Sequence, residues 1–265
     1  MGLLKRLETG LRNPYLDLPQ QAFWKPAIAM RSLFDLDCVW RPKFEIAASD
    51  VFVTFGSCFA QHIGRALSAR DFTWYSAEPA PYGLSTGKAR LFNYDIFSAR
   101  TGNVYTTSIL EQWVGWAVGG VEAPQEAWEQ GGRVFDPFRP AIEPDGFASV
   151  SEMRASRDVA IAAFRTCIER ADYFVFTLGL TESWKNVELG YEYPMCPGTV
   201  AGVYDPAVHM FANPAFADIA ASLERAFDLM RQVNPKLKFI LTVSPVPLTA
   251  TNAGSHVMVA TMESK

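Results

Sequence analysis

The stretch VFVTFGSCFAQH at residues 51–62 places a serine and a cysteine between an apolar run and a helical pattern. At such a turn, unbonded amides and the positive end of the helix dipole stabilise a thiolate. Cys58 is therefore a candidate nucleophile for acyl transfer, and the same amides would hold an oxyanion. In the alternative interpretation, Cys58 is a small buried apolar side chain and Ser57 caps the helix. Spacing alone leaves both open.

A nucleophile of this kind needs a general base, and the chain has only three histidines. Cysteine ionises more readily than serine and depends less on its base, which favours Cys58 over Ser57. His62 follows Cys58 by four residues, which would place both on one face of a helix. A solvent-facing or capping role for His62 is the alternative. His209 and His256 fall in predicted loops and are weaker candidates.

The composition is that of an ordinary globular protein, with 265 residues, 49% hydrophobic and 20% charged. The net charge of −4 offers no basic field, so we expect no nucleic-acid partner. No apolar stretch reaches the roughly 18 residues of a membrane span, and the charged N-terminus does not fit a secretory signal. Four cysteines without a CxxC pair indicate reduced thiols in the cytoplasm and no metal site: Cys38, Cys58, Cys167 and Cys196.

The chain divides into a Pro- and aromatic-rich arm, residues 1–50, and an α/β domain, residues 51–265. We expect the arm to pack on the domain through Phe23, Trp24 and Trp40. Three nearly continuous apolar runs predict buried strands, which are VFVTF from residue 51, DYFVFTLGL from residue 172 and KFILTVSP from residue 238.

Helical patterns alternate with these strands. We predict helices over residues 59–68, 108–118, 151–171 and 213–236. Ser151 would cap the third helix, and Val159, Ala162, Ala163, Phe164, Cys167 and Ile168 would line its buried face. Asn234 and Pro235 would end the fourth. The segments 72–105, 121–150 and 185–213 are predicted to be irregular.

This alternation predicts a three-layer sandwich around a mostly parallel, doubly wound sheet. In such sheets, ligands bind beyond the carboxyl ends of the strands. The three predicted strands end in FGSC, TLGLTE and TVSPVPLT. Glycines and polar residues therefore collect at the edge where α/β enzymes carry their chemistry, although part of this pattern is ordinary loop punctuation.

Four blocks, in order, resemble the GSCFA family of bacterial proteins: VFVTFGSCFAQHIGRAL, TLGLTESW, CPGTVAGVYD and LTVSPVPLTAT. The resemblance covers most of the chain from about Asn13. Because the family is grouped with the SGNH/GDSL hydrolases, it implies a flavodoxin-like three-layer sheet. The corresponding activity would be that of an esterase or acyltransferase.

The resemblance also implies roles for individual residues. The Gly-Asp-Ser block of the superfamily, laid on this chain, puts Gly56 and Ser57 at its first two positions and Cys58 at the nucleophile. The glycine of the second block, which lines the oxyanion hole, corresponds to Gly83 in APYGL.

The third block, Gly-x-Asn-Asp, corresponds to Gly179, Leu180, Thr181 and Glu182. Thr181 replaces an asparagine, so its hydroxyl would have to serve the oxyanion in place of an amide. Glu182 would orient a histidine, bind a substrate hydroxyl or cap a following helix.

The sequence differs from the superfamily pattern in two ways near its C-terminus. Nothing after Val243 matches the superfamily's Asp-x-x-His, and the chain stops at ATMESK within what resembles the start of a helix. We therefore expect a C-terminal truncation that has removed the general base. Near Glu182, the aromatic residues Trp184, Tyr191 and Tyr193 would form either a stacking wall for a sugar ring or a satellite of the core.

The leading hypothesis is an acyl-transfer enzyme acting on an acylated carbohydrate or another small hydroxyl-bearing substrate, without a cofactor. The alternative is a non-catalytic carbohydrate-binding or polysaccharide-assembly protein on a degenerate hydrolase fold. Glycosyl transfer ranks last, because the sequence has no recognisable sugar-nucleotide site. The sequence does not indicate an oligomeric state.

Overall fold

A computed structural model describes residues 13–265 and divides the chain into two compact units, Met1–Ile46 and Ala47–Lys265. In the first unit, the described part contains three short helical turns, Gln20–Ala22, Lys25–Ala29 and Leu33–Asp35. None of these turns has a buried residue. The packing of the arm on the domain through Phe23, Trp24 and Trp40 stays a prediction.

Among residues 13–265, the longer elements all lie in the second unit. Its strands are β1 Val51–Gly56, β2 Thr73–Trp74, β3 Trp128–Gln130, β4 Arg133–Phe135, β5 Tyr173–Leu178, β6 Ser183–Asn186, β7 Glu192–Tyr193, β8 His209–Ala212 and β9 Lys238–Val243. Its helices are α1 Ala60–Ser68, α2 Thr86–Leu91, α3 Thr107–Ala117, α4 Val150–Arg170, α5 Phe216–Val233 and α6 Val257–Glu263. No helix within residues 13–265 is long and apolar enough to cross a bilayer.

The central sheet has the strand order β2-β1-β5-β9, and every neighbouring pair is parallel. In this register Thr54 lies opposite Val175, which lies opposite Ile240. The three strands predicted from apolar runs are confirmed. This order is that of a doubly wound, flavodoxin-like sheet, whose direction of winding reverses between the first strand and its inner neighbour. Here the reversal falls between β1 and β5.

Helices cover both faces of the sheet, because alternate side chains of a strand point to opposite sides. On one face, the ring of Phe55 packs edge-on against Phe164 of α4, with centroids 4.7 Å apart. On the other face, Trp74 Nε1 donates to Thr54 Oγ1 at 2.9 Å, and α1 approaches both side chains at Gly64. The three-layer α/β architecture predicted from the sequence is confirmed.

The N-cap of α4 lies two residues before the predicted one. Ser149, not Ser151, accepts the hydrogen bond from Glu152 N–H at 3.1 Å, and the Glu152 carboxylate accepts from Ala148 N–H at 2.7 Å. This reciprocal pair is a capping box. The predicted face was partly wrong, since Val159 and Ala162 are exposed. The buried stripe comprises Met153, Arg157, Ala160, Ala163, Phe164, Cys167 and Ile168.

The other predicted helices are confirmed with small shifts at their ends. Thr106 caps α3 by accepting from Ile109 N–H at 3.2 Å. As predicted, α5 ends at Asn234, whose side-chain amide donates to the carbonyls of Ile168 at 2.9 Å and Ala171 at 2.8 Å. This contact joins the end of α5 to the end of α4, just before β5 enters the sheet.

Two of the segments predicted as irregular contain small sheets. Residues 121–150 include the antiparallel hairpin β3-β4, and residues 183–212 form an antiparallel sheet of order β7-β6-β8. Tyr193 of β7 and Trp128 of β3 are buried, with ring centroids 5.4 Å apart. These strands have two to four residues each, too short for a clear hydrophobic period.

Candidate functional site

The chain leaves β1 through a turn that requires glycine. Gly56 has a φ of +130°, and a Cβ there would lie 2.7 Å from the Thr177 nitrogen and nearer still to its carbonyl oxygen. The carbonyl of Gly56 accepts from Val104 N–H at 2.9 Å. Its structural role is therefore to let β1 and β5 run side by side to the edge where the chain turns away. The contacts of Gly56 with residues 13–265 are those of a strand end, and its part in substrate binding stays a prediction.

Cys58 lies at the edge of the sheet, two residues after β1 and two before α1. Its side chain is half-buried, so the sulfur is neither enclosed in the core nor fully in solvent. The N–H groups of Cys58 and Phe59 donate to no atom of residues 13–265, whereas Ala60 N–H donates to the Ser57 carbonyl at 2.9 Å. Two unbonded donors at the positive end of α1 form the cradle expected for an anion.

Ser57 does not cap this helix. The residue before α1 is Phe59, with no side-chain cap, so that interpretation of Ser57 was wrong. Its side chain is 3% exposed, and its hydroxyl has no partner among the described residues. A Cβ placed on Gly179 would come within 2.7 Å of the Ser57 Cβ. Ser57 is thus enclosed beneath Gly179, and Cys58 is the more accessible of the two.

Two residues absent from the sequence-based candidates lie near Cys58. Burial and, secondarily, the charge of an ionised Cys58 raise the pKa of Tyr105 to about 12. Burial lowers the pKa of Lys265, against an opposing effect of Cys58. The Lys265 ammonium also donates to the Gly179 carbonyl at 2.6 Å. A cation beside the thiol is a recognised way to stabilise a thiolate.

Tyr105 also links two loops at the sheet edge. Its carbonyl accepts from Gly179 N–H at 3.3 Å and Leu180 N–H at 3.1 Å. The Gly179 amide is consequently occupied, and its carbonyl is held by Lys265. The contribution of Gly179 is therefore to the packing of the loop after β5 rather than to an oxyanion hole. The segment TGNVYTT around Tyr105 carries no pattern that would have indicated this role.

The Thr181 hydroxyl is engaged with other side chains. It donates to Asn213 Oδ1 at 2.6 Å and lies 3.1 Å from Ser264 Oγ. Its proton is thus directed to Asn213 rather than to the Cys58 turn. The side-chain nitrogen of Asn213 has no partner among residues 13–265, so Thr181 orients an amide whose donors are free. Sequence analysis did not identify Asn213.

Glu182 accepts a hydrogen bond from Thr251 Oγ1 at 2.6 Å. It is followed by β6, not by a helix, so the capping interpretation was wrong. The bond ties the loop after β5 to the loop after β9, both at the carboxyl edge of the sheet. This contact leaves the orienting and substrate-binding roles of Glu182 as predictions.

Each of the three histidines has contacts with groups other than the Cys58 thiol. Because Cys58 precedes α1, the helical spacing argument for His62 fails, and the exposed His62 ring lies 5.7 Å from that of Phe59. His209 accepts from Asp205 N–H at 3.0 Å, and His256 caps α6. Within residues 13–265, no imidazole is hydrogen-bonded to Cys58.

Gly83 and the predicted aromatic wall have separate surroundings. Gly83 is exposed with a φ of +85°, and a Cβ there would have no neighbour within 4 Å. Its oxyanion role stays a prediction without a supporting contact. Tyr193 is fully buried and Trp184 packs against Phe211 with centroids 5.7 Å apart, as satellite core residues do. The described residues hold no group of three or more His, Cys, Asp or Glu that could bind a metal.

A family model described as the GSCFA family matches residues 51–265. The match begins at the first residue of β1, whereas the sequence blocks suggested a resemblance from about Asn13. It includes the turn that carries Cys58 and the loops after β5 and β9. No curated protein and no solved structure matches the chain.

Proposed function

This chain belongs to the GSCFA family, and from the surroundings of Cys58 we propose that it is an acyl-transfer enzyme, an esterase or acyltransferase of the SGNH type. The substrate is an acylated carbohydrate or another small hydroxyl-bearing molecule. One observation carries the proposal: a half-exposed thiol and two unbonded amides lie together at the reversal point of a doubly wound sheet. This is the position at which such sheets bind ligands.

The reaction has two steps, acylation of Cys58 and deacylation. The Cys58 thiolate attacks the carbonyl carbon of an ester, a C–S bond forms, and the oxyanion accepts hydrogen bonds from the Cys58 and Phe59 amides. The ester C–O bond then breaks, and the alkoxide leaves with a proton from solvent. Water or a sugar hydroxyl attacks the thioester, loses its proton to solvent and takes the acyl group, which regenerates the thiolate.

Lys265 and Asn213 support this chemistry electrostatically. The ammonium of Lys265 is near enough to interact with the charge of Cys58, so it lies where it can attract the negative charge of the attacking sulfur. Asn213, oriented by Thr181, offers a side-chain amide at the same edge. It supplies the type of donor that the superfamily takes from the asparagine replaced here by Thr181.

The free cysteines favour a compartment in which thiols stay reduced. Cys38, Cys58, Cys167 and Cys196 are all unpaired. We therefore propose a cytoplasmic location, where a nucleophilic thiol remains usable.

Two observations favour a second candidate, a carbohydrate-binding or polysaccharide-assembly protein without catalysis. No imidazole among the described residues bonds to Cys58, and Thr181 directs its proton to Asn213. A protein of this kind would bind glycans with the same affinity before and after alkylation of Cys58, and it would release no acyl group.

The test is a panel of aryl and sugar esters of different acyl length, with intact-mass detection of the acyl-enzyme. We expect a transient adduct on the tryptic peptide containing Cys58 and loss of turnover in Cys58→Ala. The matched control is Cys196→Ala, another half-buried free cysteine, which should keep full turnover. Unchanged turnover in Cys58→Ala would overturn the assignment of the nucleophile.

A further inference from the structure

A large cleft lies beside the candidate site. It has a volume of about 1250 Å³ and is bounded by α3, α5, the loop 121–126 and the strands β6 and β7. Typical small-molecule pockets have roughly 300–1,000 Å³. The cleft is therefore large enough for an extended ligand rather than a single small molecule.

No residue of the Cys58 turn lines the cleft, but two of the segments that line it are joined to the loops around Cys58. Asn213, which lines it, bonds to Thr181 in the loop after β5. Thr107 and Ser108, at the first turn of α3, also line it and directly follow the Tyr105 segment that bonds to the same loop. A ligand in the cleft would thus lie along the elements that hold the candidate nucleophile.

The wall of the cleft carries an excess of negative charge. Its carboxylates are Glu111, Glu122, Glu126, Glu192 and Asp218, and its cations are Lys185 and Arg225. Arg225 is paired with Glu111 through two bonds of 2.6 and 2.8 Å. The cleft therefore has a formal excess of three negative charges, in a chain whose net charge is −4.

The carboxylates of the cleft differ in how they are held. Glu126 accepts from the hydroxyls of Tyr191 and Tyr193, and Glu192 accepts from Ser108 at 2.7 Å and Ser183 at 2.8 Å. The carboxylates of Glu122 and Asp218 are exposed and accept no hydrogen bond from residues 13–265, although the charge of Asp218 interacts with that of Arg225. Both carboxylates are accessible to the charge of a ligand, and Glu122 has no hydrogen-bond or salt-bridge partner among residues 13–265.

Neutral groups complete the lining. The half-buried Tyr191 and the buried Trp116 line the cleft, as do Gln125 and Asn213, whose side chains end in amides. Aromatic faces and amides are suited to pyranose rings and their hydroxyls. Anionic chains and nucleotides would be repelled by the carboxylates, whereas protonated amines would be attracted.

We infer that this cleft binds an oligosaccharide with protonated amino groups, of the glucosamine type, and presents it to Cys58. The inference deepens the proposed function and rests on it for the reaction. The amino groups meet Glu122 and Asp218, and the rings lie against Tyr191 and Trp116. The excess of negative charge disfavours a chain of uronic acids or phosphorylated sugars.

Binding is measured by calorimetry on the full chain, both wild type and Cys58→Ala, with a glucosamine tetramer, its N-acetylated form and a galacturonic acid tetramer. We expect the glucosamine tetramer to bind, to weaken as salt is added and to bind more tightly than the N-acetylated form. The galacturonic acid tetramer should not bind. Failure of the glucosamine tetramer to bind either protein would overturn the inference.

The double variant Glu122→Gln, Asp218→Asn should weaken binding of the glucosamine tetramer about tenfold. The matched control Glu224→Gln, Asp228→Asn removes the same charge from exposed positions of α5 outside the cleft and should bind like wild type. Equal loss in both variants would mean that only net charge matters. Tetralysine binding as tightly as the sugar would also contradict the inference, because the cleft would then lack specificity for pyranose rings.

A small aryl acetate separates this inference from the proposed function. Its turnover depends on Cys58 and does not require the cleft. Turnover of the aryl ester without oligosaccharide binding would sink the inference and leave the proposed function standing. Oligosaccharide binding without any turnover would instead support the cleft and favour the non-catalytic alternative.

Discussion

Gly56 and Gly83 both have a positive φ, but we expect their replacement by alanine to lower the free energy of unfolding by different amounts. At Gly56 a Cβ would come within 3.0 Å of the backbone of Thr177, in the middle of a paired sheet that cannot move away. At Gly83 the Cβ would point into open space. We expect Gly56→Ala to lower the free energy of unfolding by about 3 kcal/mol or more, because backbone strain and overlap add.

Gly83→Ala is the control, since it pays only for the left-handed backbone. We expect a loss of about 1 kcal/mol. Urea unfolding followed by circular dichroism measures both. Equal losses at the two positions would show that the contact with β5 adds nothing, and that Gly56 is required for its φ alone.

The buried thiol of Cys167 predicts a loss of stability in alkali. Burial, first among its causes, raises the pKa of this thiol from 9.0 to about 12. The stabilisation is complete below pH 9, where folded and unfolded thiols are both protonated, and is lost as the pH rises toward 12. At pH 10.5 the unfolded thiol is ionised and the folded one is not, which costs about 2 kcal/mol.

Comparison with Cys167→Ala isolates this effect from every other group that titrates in alkali. The free energy of unfolding is measured in urea at pH 7 and pH 10.5 for both proteins. We expect wild type to lose about 2 kcal/mol more than the variant over this interval. A difference between the two proteins that does not change with pH would contradict the assignment.

At the level of residues, sequence reasoning found what a local pattern can specify. An apolar run followed by glycine, serine and cysteine indicated a turn at a strand end, and the structure places Cys58 there. Tyr105, Asn213 and Lys265 were missed because they reach the site through contacts between distant segments. Their own neighbourhoods in sequence carry no mark of that position.

At the level of elements, length decided which strands could be predicted. The strands β1, β5 and β9 have six residues each and are largely apolar, so their pattern is evident in the sequence. The strand β2 has two residues, and those of the β7-β6-β8 sheet have two to four. Such short strands are fixed by pairing and by the packing of Tyr193 and Trp128, which no local period reveals.

The start of α4 gives a test at this level, because the sequence predicted Ser151 as the cap and the structure has Ser149 there. Ser149 accepts from Glu152 N–H, whereas Ser151 is exposed within the first turn. We expect Ser149→Ala to lower the free energy of unfolding by about 1 kcal/mol, and Ser151→Ala to lower it by much less. Thermal unfolding of the two variants in parallel would decide. A larger loss in Ser151→Ala would place the cap where the sequence first suggested.

At the level of the whole Ala47–Lys265 unit, the order of the parallel strands determines where chemistry can occur. Because β2 lies on one side of β1 and β5 with β9 on the other, the loops after β1 and β5 part from one another at the sheet edge. Cys58 and Gly179 lie in those two loops. The sequence could predict a parallel sheet from its apolar runs, but not the neighbour of each strand, since pairing is a property of the assembled sheet.

A buried ionic cluster joins the loop after β4 to α4. Asp136 is fully enclosed and accepts from Arg139 at 2.8 Å and from Arg157 at 2.8 Å. Arg157 also donates to the carbonyls of Pro124 and Glu126. One carboxylate thus balances two guanidinium groups that hold three separate segments together. Removing the Asp136 charge would leave the buried guanidinium groups of Arg139 and Arg157 without this counter-ion.

Asp136→Asn should therefore be strongly destabilising, with an expected loss of about 3–5 kcal/mol. Burial alone would raise the pKa of Asp136, but Arg139 and Arg157 outweigh it and hold the pKa below 3.8. A lowered carboxyl pKa stabilises the fold above the unfolded value and loses that stabilisation as the pH falls through the folded value. Wild type should thus lose stability on going from pH 5 to pH 3, and Asp136→Asn should lose less over the same range.

The matched control is Asp158→Asn, which replaces an exposed carboxylate next to Arg157 on α4 and should behave like wild type. If Asp136→Asn unfolds with the same midpoint and the same acid dependence as Asp158→Asn, the cluster does not hold these segments together.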